Sequence, residues 1–445
     1  ARDLDALEAI AERSNDDARR ASVALQRSSL ASTVGDYASA ETHAHHAATC
    51  ARQAGAAAQE AEAYLAWGMA LWHFGQQAAA REQSIQALTL SRQNQMSHVE
   101  AKTLRLLGII ANAQSDYADA QTYLDQSLEL FRQLKDRQGE GDCLNSLGVV
   151  AFHMNDAVLA RSYYEDASHI KEELGDRYGQ GVILNNLGIV ARQQRDYSAS
   201  VGYFEESLKI CREIHDREGE ASALNGLGSA AVFLGDHTAA RDFIDQALAI
   251  TRAIGDREGE MNVLIEQSAL RSDAGDTQAA LASGHEAVAI AQELGARSDQ
   301  ARSLLLVGWP SLQIGDLDEA HRAFDAALEM SRSLDLPGEF AEALAGLALV
   351  ALRQNKIASA LEHAQQILDL GSSGPPDLSY RAQLALYRVL LAGGDARAAT
   401  ILETACQSLQ TEIASLDEPL RARFVDNVPY RQELLAEWTT RTHRE

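Results

Sequence analysis

The sequence predicts an all-α protein built as an array of stacked helix pairs. Three observations carry that expectation: a forty-residue period, an apolar fraction dominated by Ala and Leu, and a scarcity of Pro and of β-branched runs. Ala and Leu are strong helix formers. Short self-similar units cannot close a core alone, so each buries its apolar face on its neighbours. At ordinary domain sizes 445 residues would suggest two or three globular units, a division that an array does not need.

The period is set by three columns. Gly recurs as Gly68, Gly108, Gly148, Gly188, Gly228 and Gly308, with Ser28, Ser268 and Ala348 at the same phase. Four residues earlier stand Leu104, Leu144, Leu184, Leu224, Leu264, Leu304 and Leu344. A second small column runs through Ala40, Ala80, Ala120, Ala160, Ser200, Ala240, Ala280, Ala320 and Ala360. The spacing holds from about residue 21 to 360 without an insertion. Small columns let helices approach closely, and Leu and aromatic columns fill the space between pairs.

Within each unit the first helix carries L-x-x-L-G and ends in a turn, GD at 35–36, 235–236, 275–276 and 315–316 or SD at 115–116. There Gly can end one helix with positive φ and Asp can cap the next. The second helix opens with Ala and an aromatic, as in Ala120-Gln-Thr-Tyr123 and Ala240-Arg-Asp-Phe243. A second turn follows, DRQGE at 136–140, DRYGQ at 176–180 and DREGE at 216–220 and 256–260. Capping and compensation of the helix dipole account for its charges.

These features resemble the tetratricopeptide repeat (TPR) family in its forty-residue variant, as in kinesin light chain-like proteins and the sensor arrays of STAND (signal-transduction ATPase with numerous domains) regulators. The resemblance covers nearly the whole chain. It implies a right-handed superhelical solenoid of about ten helix pairs, with the first helices lining a concave groove. The family's proline near the end of each unit is absent here, replaced by Gly-Asp-Arg chemistry. Asn15-Asp16 falls where Gly255-Asp256 sits, so residues 1–20 are expected to be the second helix of a truncated preceding repeat. The array then spans 21–370, a degenerate terminal repeat 371–413 broken at GSSGPPD, and a capping segment 414–445. A start in mid-repeat without methionine is expected of a piece of something longer.

The candidate site is a polar column. Asn145, Asn185 and Asn225 stand three residues before the Gly in LNSLG, LNNLG and LNGLG. By the resemblance this position faces the groove, and residues three, four and seven apart share its side of the helix. The stripe takes in Lys102, Arg105, Ile109 and Asn112, then Asp142, Val149 and Phe152, then Val182, Ile189 and Arg192. It continues through Ser222, Ser229 and Val232, then Asn262, Ile265 and Ser272, then Arg302, Leu305, Trp309 and Leu312. An Asn amide both donates and accepts, which suits a peptide backbone, and the resemblance assigns that role to Asn145, Asn185 and Asn225 alone. Lys102, Arg105, Arg192 and Arg302 favour an acidic segment, while Phe152, Trp309 and Trp72 offer aromatic anchors. The alternative reading is that the same amides bond to the neighbouring repeat and fix the stacking.

The rest of the chain narrows the function. A formal charge of −25, spread throughout, opposes binding to nucleic-acid phosphates and to anionic lipid. No apolar run reaches the ~18–20 residues that span a bilayer, and ARDLDALEAI lacks the basic and apolar regions of a signal peptide. Cys50, Cys143, Cys211 and Cys406 have neither zinc-site nor disulfide spacing, which reads as a reducing, cytosolic compartment. His43, His45 and His46 beside Glu41 read as a solvated helix face, short of a metal site's ligand count. No nucleotide-binding, nucleophile-elbow or zincin motif occurs, so neither an enzyme nor a cofactor is expected. RARFVDNVPYRQELLAEW (421–438) departs from the repeat and resembles the closing segment of TPR arrays attached to ATPase or cyclase modules; a capping helix is its structural reading. The function expected is peptide or protein binding in the groove. A small-molecule sensor of the oligosaccharide-binding type, as in maltose-regulator relatives, and a self-associating scaffold are the alternatives.

Overall fold

The computed structural model describes residues 16–370 and 378–442. Of the second helix expected over residues 1–20, residues 1–15 lie outside the described residues and 17–20 begin α1; the expected break at 371–377 also lies outside them. All the secondary structure among the described residues is helical. The first helices are α1 (Asp17–Thr33), α3 (Ala57–His73), α5 (Ser97–Ala113), α7 (Arg137–His153), α9 (Arg177–Gln193), α11 (Arg217–Phe233), α13 (Arg257–Asp273), α15 (Arg297–Ile314), α17 (Pro337–Arg353) and α19 (Tyr380–Ala392). The second helices are α2 (Tyr37–Ala54), α4 (Gln77–Gln93), α6 (Tyr117–Leu134), α8 (Ala157–Leu174), α10 (Tyr197–Ile214), α12 (His237–Ile254), α14 (Thr277–Leu294), α16 (Leu317–Leu334), α18 (Ile357–Leu370) and α20 (Arg397–Ser415). Two more follow, α21 (Glu418–Asp426) and α22 (Pro429–Thr442). First and second helices alternate along the chain as expected of ten repeat units. The chain divides into two compact units, Ala1–Gln194 with α1–α9 and Arg195–Glu445 with α10–α22.

Local chemistry sets the helix ends where the sequence places them. Gly35, Gly75, Gly235, Gly275 and Gly315 all have positive φ, and Ser115, Asn155 and Asn355 adopt the same left-handed conformation at this phase. The following Asp36, Asp116, Asp156, Asp236, Asp276 and Asp316 each accept a hydrogen bond from the backbone N–H three residues on. In the second turn Asp136, Asp176, Asp216 and Asp256 cap in the same way onto Gly139, Gly179, Gly219 and Gly259, at 2.8–3.0 Å. These four glycines serve packing. A Cβ on Gly139 would lie 2.3 Å from the Phe131 ring, and one on Gly259 would lie 2.0 Å from the Asp256 carboxylate.

The small columns mark where helices touch. In the Gly column a Cβ on Gly108 would stand 2.6 Å from Leu124, on Gly148 2.5 Å from Tyr164 and on Gly308 2.6 Å from Phe324. Each partner sits sixteen residues on, in the second helix of the same pair. Where the column holds Ser, its hydroxyl donates to the Ala column instead: Ser28 to the Ala40 carbonyl and Ser268 to the Ala280 carbonyl, both at 2.9 Å.

The second turn also carries an ion network beyond the capping expected of it. Arg52–Glu60, Arg92–Glu100, Arg132–Glu140, Arg212–Glu220 and Arg252–Glu260 pair at 2.6–2.9 Å, each Arg near the end of a second helix and each Glu in the following first turn. Arg137 joins Glu140 to Glu173 of the next second helix, at 2.7 and 2.6 Å. Arg257 likewise joins Glu260 to Glu293. The same phase at 172 and 180 holds Glu and Gln, and there the buried Lys171 binds Asp142 at 2.5 Å and Asp176 at 2.9 Å.

Two measurements test this account. Gly148→Ala is expected to destabilise the fold by roughly 1–3 kcal/mol through overpacking against Tyr164, read as a lower urea midpoint. Burial pushes the Glu260 carboxyl up, but hydrogen bonds from Arg252 and Arg257 more than offset it and hold it below the usual range. Its stabilisation is therefore present above the unfolded carboxylate pKa and lost as pH falls through the lower folded value. Glu260→Gln should show a flatter acid limb in a stability-against-pH curve than the unaltered chain.

Candidate binding faces on the first helices

In the first unit the predicted stripe is open. Lys102 is exposed, while Arg105, Ile109, Asn112, Asn145, Val149, Phe152, Asn185, Ile189 and Arg192 are all half-buried. Part of it forms a cavity of about 790 Å³ between α3, α5 and the start of α7. Leu65, Met69, Trp72, Leu106 and Ile109 supply its apolar lining, and Lys102 and Arg105 its cations. Among the described residues neither cation has a hydrogen-bond or ion-pair partner. Of the lining carboxylates, Asp142 is held by Lys171 and Asp136 by His98 and the Gly139 N–H, which leaves Glu62. Lys102 also lies near enough to Asp136 to help hold that carboxyl below its ordinary range, so the cavity's charges are mixed, with Lys102 and Arg105 as its two cations without a direct hydrogen bond.

The asparagine column is not uniform. The Asn145 Oδ1 accepts from Asn186 Nδ2 on the next first helix at 3.0 Å, so one half of this amide fixes the stacking. Its Nδ2 has no partner among the described residues. The Oδ1 atoms of Asn185 and Asn225 are buried and without a hydrogen-bond partner among the described residues, so neither joins neighbouring repeats through that atom. Asn112 accepts from or donates to His153 at 3.0 Å, according to the tautomer, and that bond again links successive first helices.

In the second unit much of the same stripe is closed, while Ser222 and Arg302 stay exposed. Ser229, Val232, Ile265, Ser272, Leu305, Trp309 and Leu312 are between 2% and 8% exposed. Trp309, expected to anchor a ligand, instead packs edge-on against Phe324, ring centres 5.1 Å apart, with the Arg381 guanidinium 5.7 Å from its ring. Arg302 pairs with Glu266 at 3.2 Å, and Asn262 is half-buried on α13. The cover is the chain's own end. Asn427 donates to the Gly235 carbonyl at 2.7 Å, Arg431 to the Phe233 carbonyl at 2.7 Å, and Arg423 pairs with Asp236. Arg381 reaches Asp273 at 2.9 Å and lies 4.9 Å from the Tyr430 ring. Burial pushes the Asp273 carboxyl up, against the pull of Arg381 and Arg431. A cavity of about 130 Å³ remains beneath, lined by Trp309, Leu312, Arg381 and Tyr430 among others.

The segment read as a capping helix therefore returns to a turn some 190 residues earlier. The sequence signalled only that residues 421–438 leave the repeat pattern; the seat, Phe233, Gly235, Asp236 and Asp273, carries ordinary repeat chemistry. Among the described residues no group of acidic, His and Cys side chains could hold a metal, and no helix is long and apolar enough to cross a membrane.

A tetratricopeptide repeat family model matches residues 99–173 and 179–253, and a second matches 312–375. No curated protein matches the chain by sequence. Among solved structures, a Rap protein complexed with competence and sporulation factor is 14% identical, with a TM-score of 0.51 over 76% of this chain and 99% of its own. Aspartyl phosphate phosphatase F from Bacillus subtilis is 12% identical, with a TM-score of 0.54 over 80% of this chain and 95% of its own. A STAND protein with a tetratricopeptide repeat sensor, from Pyrococcus horikoshii, is 12% identical, with a TM-score of 0.54 over 87% of this chain and 54% of its own. At these identities the likeness is one of fold.

Gly235 and Gly275 offer a paired test of the closed face. Both have positive φ, at +72° and +80°, so Ala costs each roughly 1 kcal/mol of backbone strain. A Cβ on Gly235 would also stand 2.3 Å from the Arg423 carbonyl, whereas one on Gly275 meets nothing. Gly235→Ala is expected to lower the melting temperature more than Gly275→Ala and to raise hydrogen exchange in α21 and α22.

Proposed function

The chain belongs to the tetratricopeptide repeat family, and we propose that its first unit is a non-enzymatic binding module for an extended, acidic polypeptide segment. The observation that carries this is the open cavity between α3, α5 and α7, with an apolar floor and two cations, Lys102 and Arg105, that make no hydrogen bond or ion pair among the described residues. A carboxylate placed between them gains charge-assisted hydrogen bonds, while a neighbouring large side chain fills the floor. Beyond the cavity the Asn145 Nδ2 can donate to a backbone carbonyl, and Asn185, Ile189 and Arg192 extend the same stripe on the next first helix. Elsewhere in this fold a Rap protein is found complexed with competence and sporulation factor, and a STAND protein carries a tetratricopeptide repeat sensor. Both support reading the array as the sensor of a larger bacterial signalling protein with an attached ATPase or regulatory domain.

The cavity volume lies within the range of small-molecule sites, which keeps a small anionic ligand as the second reading. One series separates them. Peptides selected by display against the full chain should be rich in Asp and Glu beside an aromatic or aliphatic residue. Lys102→Ala with Arg105→Ala should weaken them by about tenfold or more, with a salt-sensitive affinity and an unchanged melt. Asn145→Ala and Phe152→Ala, outside the cavity, should weaken a peptide and leave a small ligand untouched. Peptides that bind the double variant as tightly as the unaltered chain would sink the proposal.

A further inference from the structure

The closed face of the second unit is built as a receptor. Around the end of α11 its polar groups toward α21 and α22 are acceptors: the Phe233 carbonyl in the last turn of α11, the Gly235 carbonyl in the turn beyond, and the Asp236 carboxylate; farther along α22, Arg388 of α19 pairs instead with Glu433 at 2.9 Å. Carbonyls at a helix C-terminus lack intrahelical partners and lie at the negative end of the dipole, so they favour cationic donors. Every polar group that meets them is a donor, Arg431, Asn427 and Arg423 respectively. Arg431 is only 1% exposed. Its guanidinium lies 4.5 Å from the Phe233 ring and 3.7 Å from the Phe424 ring. The seat is prepared from behind, for Tyr197 stacks on Phe233 with ring centres 4.3 Å apart. At the end of α11 array and segment thus divide the roles, acceptors and one ring from the array, donors and a second ring from the segment.

We propose that this seat is a second recognition site, specific for a polypeptide segment that presents an arginine beside an aromatic residue, and that residues 418–434 are its resident occupant in cis. A partner with an arginine–aromatic segment engages the seat only by replacing the chain's own end. The specificity is opposite in charge to that of the first unit and stands independently of it.

The test uses the full chain and a fluorescent synthetic peptide of residues 418–442, followed by anisotropy. In the unaltered chain the seat is filled and the peptide should bind weakly. Arg431→Gln in the chain removes the resident segment's bond to the Phe233 carbonyl, and its own bond to the Phe424 carbonyl, while leaving the seat intact, so the peptide should bind that variant at least ten times more tightly. The same peptide with Arg431→Gln should bind neither. Equal affinity for both chains, or equal binding by the altered peptide, overturns the proposal. Loss of a cooperative thermal transition in the variant chain overturns it too, because a seat that cannot exist without its occupant is core.

Discussion

At nine positions spaced forty residues apart, from Ala40 to Ala360, a side chain no larger than Ser is fully sealed from solvent. Opposite them the Gly column admits a side chain from the second helix of the same pair, with no room for a Cβ. This close approach is the constraint on which the helix pairs depend. It fixes how near the two helices lie and so which residues of each first helix are left to face outward. Interiors packed at such density tolerate little change in volume, so the pairs repeat with the same geometry.

The turns then link one pair to the next by electrostatics as well as capping. An Arg at the end of a second helix meets a nearly buried Glu eight residues on, and a second Arg carries the chain of charges to the following pair. The Lys171 exchange shows what the position requires. With Arg and Glu both gone from 172 and 180, a buried ammonium between Asp142 and Asp176 does the same task. Asp142 is thereby drawn to Lys171, and neither Lys102 nor Arg105 forms an ion pair with it. The structural ion pair and the charge of the candidate site are two consequences of one arrangement.

A single periodic stripe thus has different fates in the two units. In the first it is accessible, and Lys102 and Arg105 stand in it without a direct hydrogen bond. In the second it is partly covered by a segment whose Arg431 meets the Phe233 carbonyl at the end of α11 and whose Phe424 completes an aromatic sandwich around that guanidinium. A strongly acidic chain, with a formal charge of −25, places a local cationic cavity on one face and draws its own arginines onto another.

The period, the helix boundaries, the capping Asp residues and the all-α class were legible in the sequence, because all depend on contacts within one unit or between successive ones. Gly148 against Tyr164 or Asp136 onto Gly139 needs no more than two adjacent helices. The Arg–Glu network had a periodic signal too, an Arg eight residues before a Glu, overlooked because capping alone accounted for the turn. Only the tertiary structure decided which stripe residues stay open. Asn145 is half committed to Asn186 while Asn185 is not, a difference of side-chain orientation that residue type does not carry. Trp309 packs on Phe324 of its own pair and is flanked by Arg381, more than seventy residues on. The return of Asn427 to Gly235 spans 192 residues, far beyond the reach of a forty-residue pattern, since a repeat encodes its neighbours and says nothing of what folds back across them.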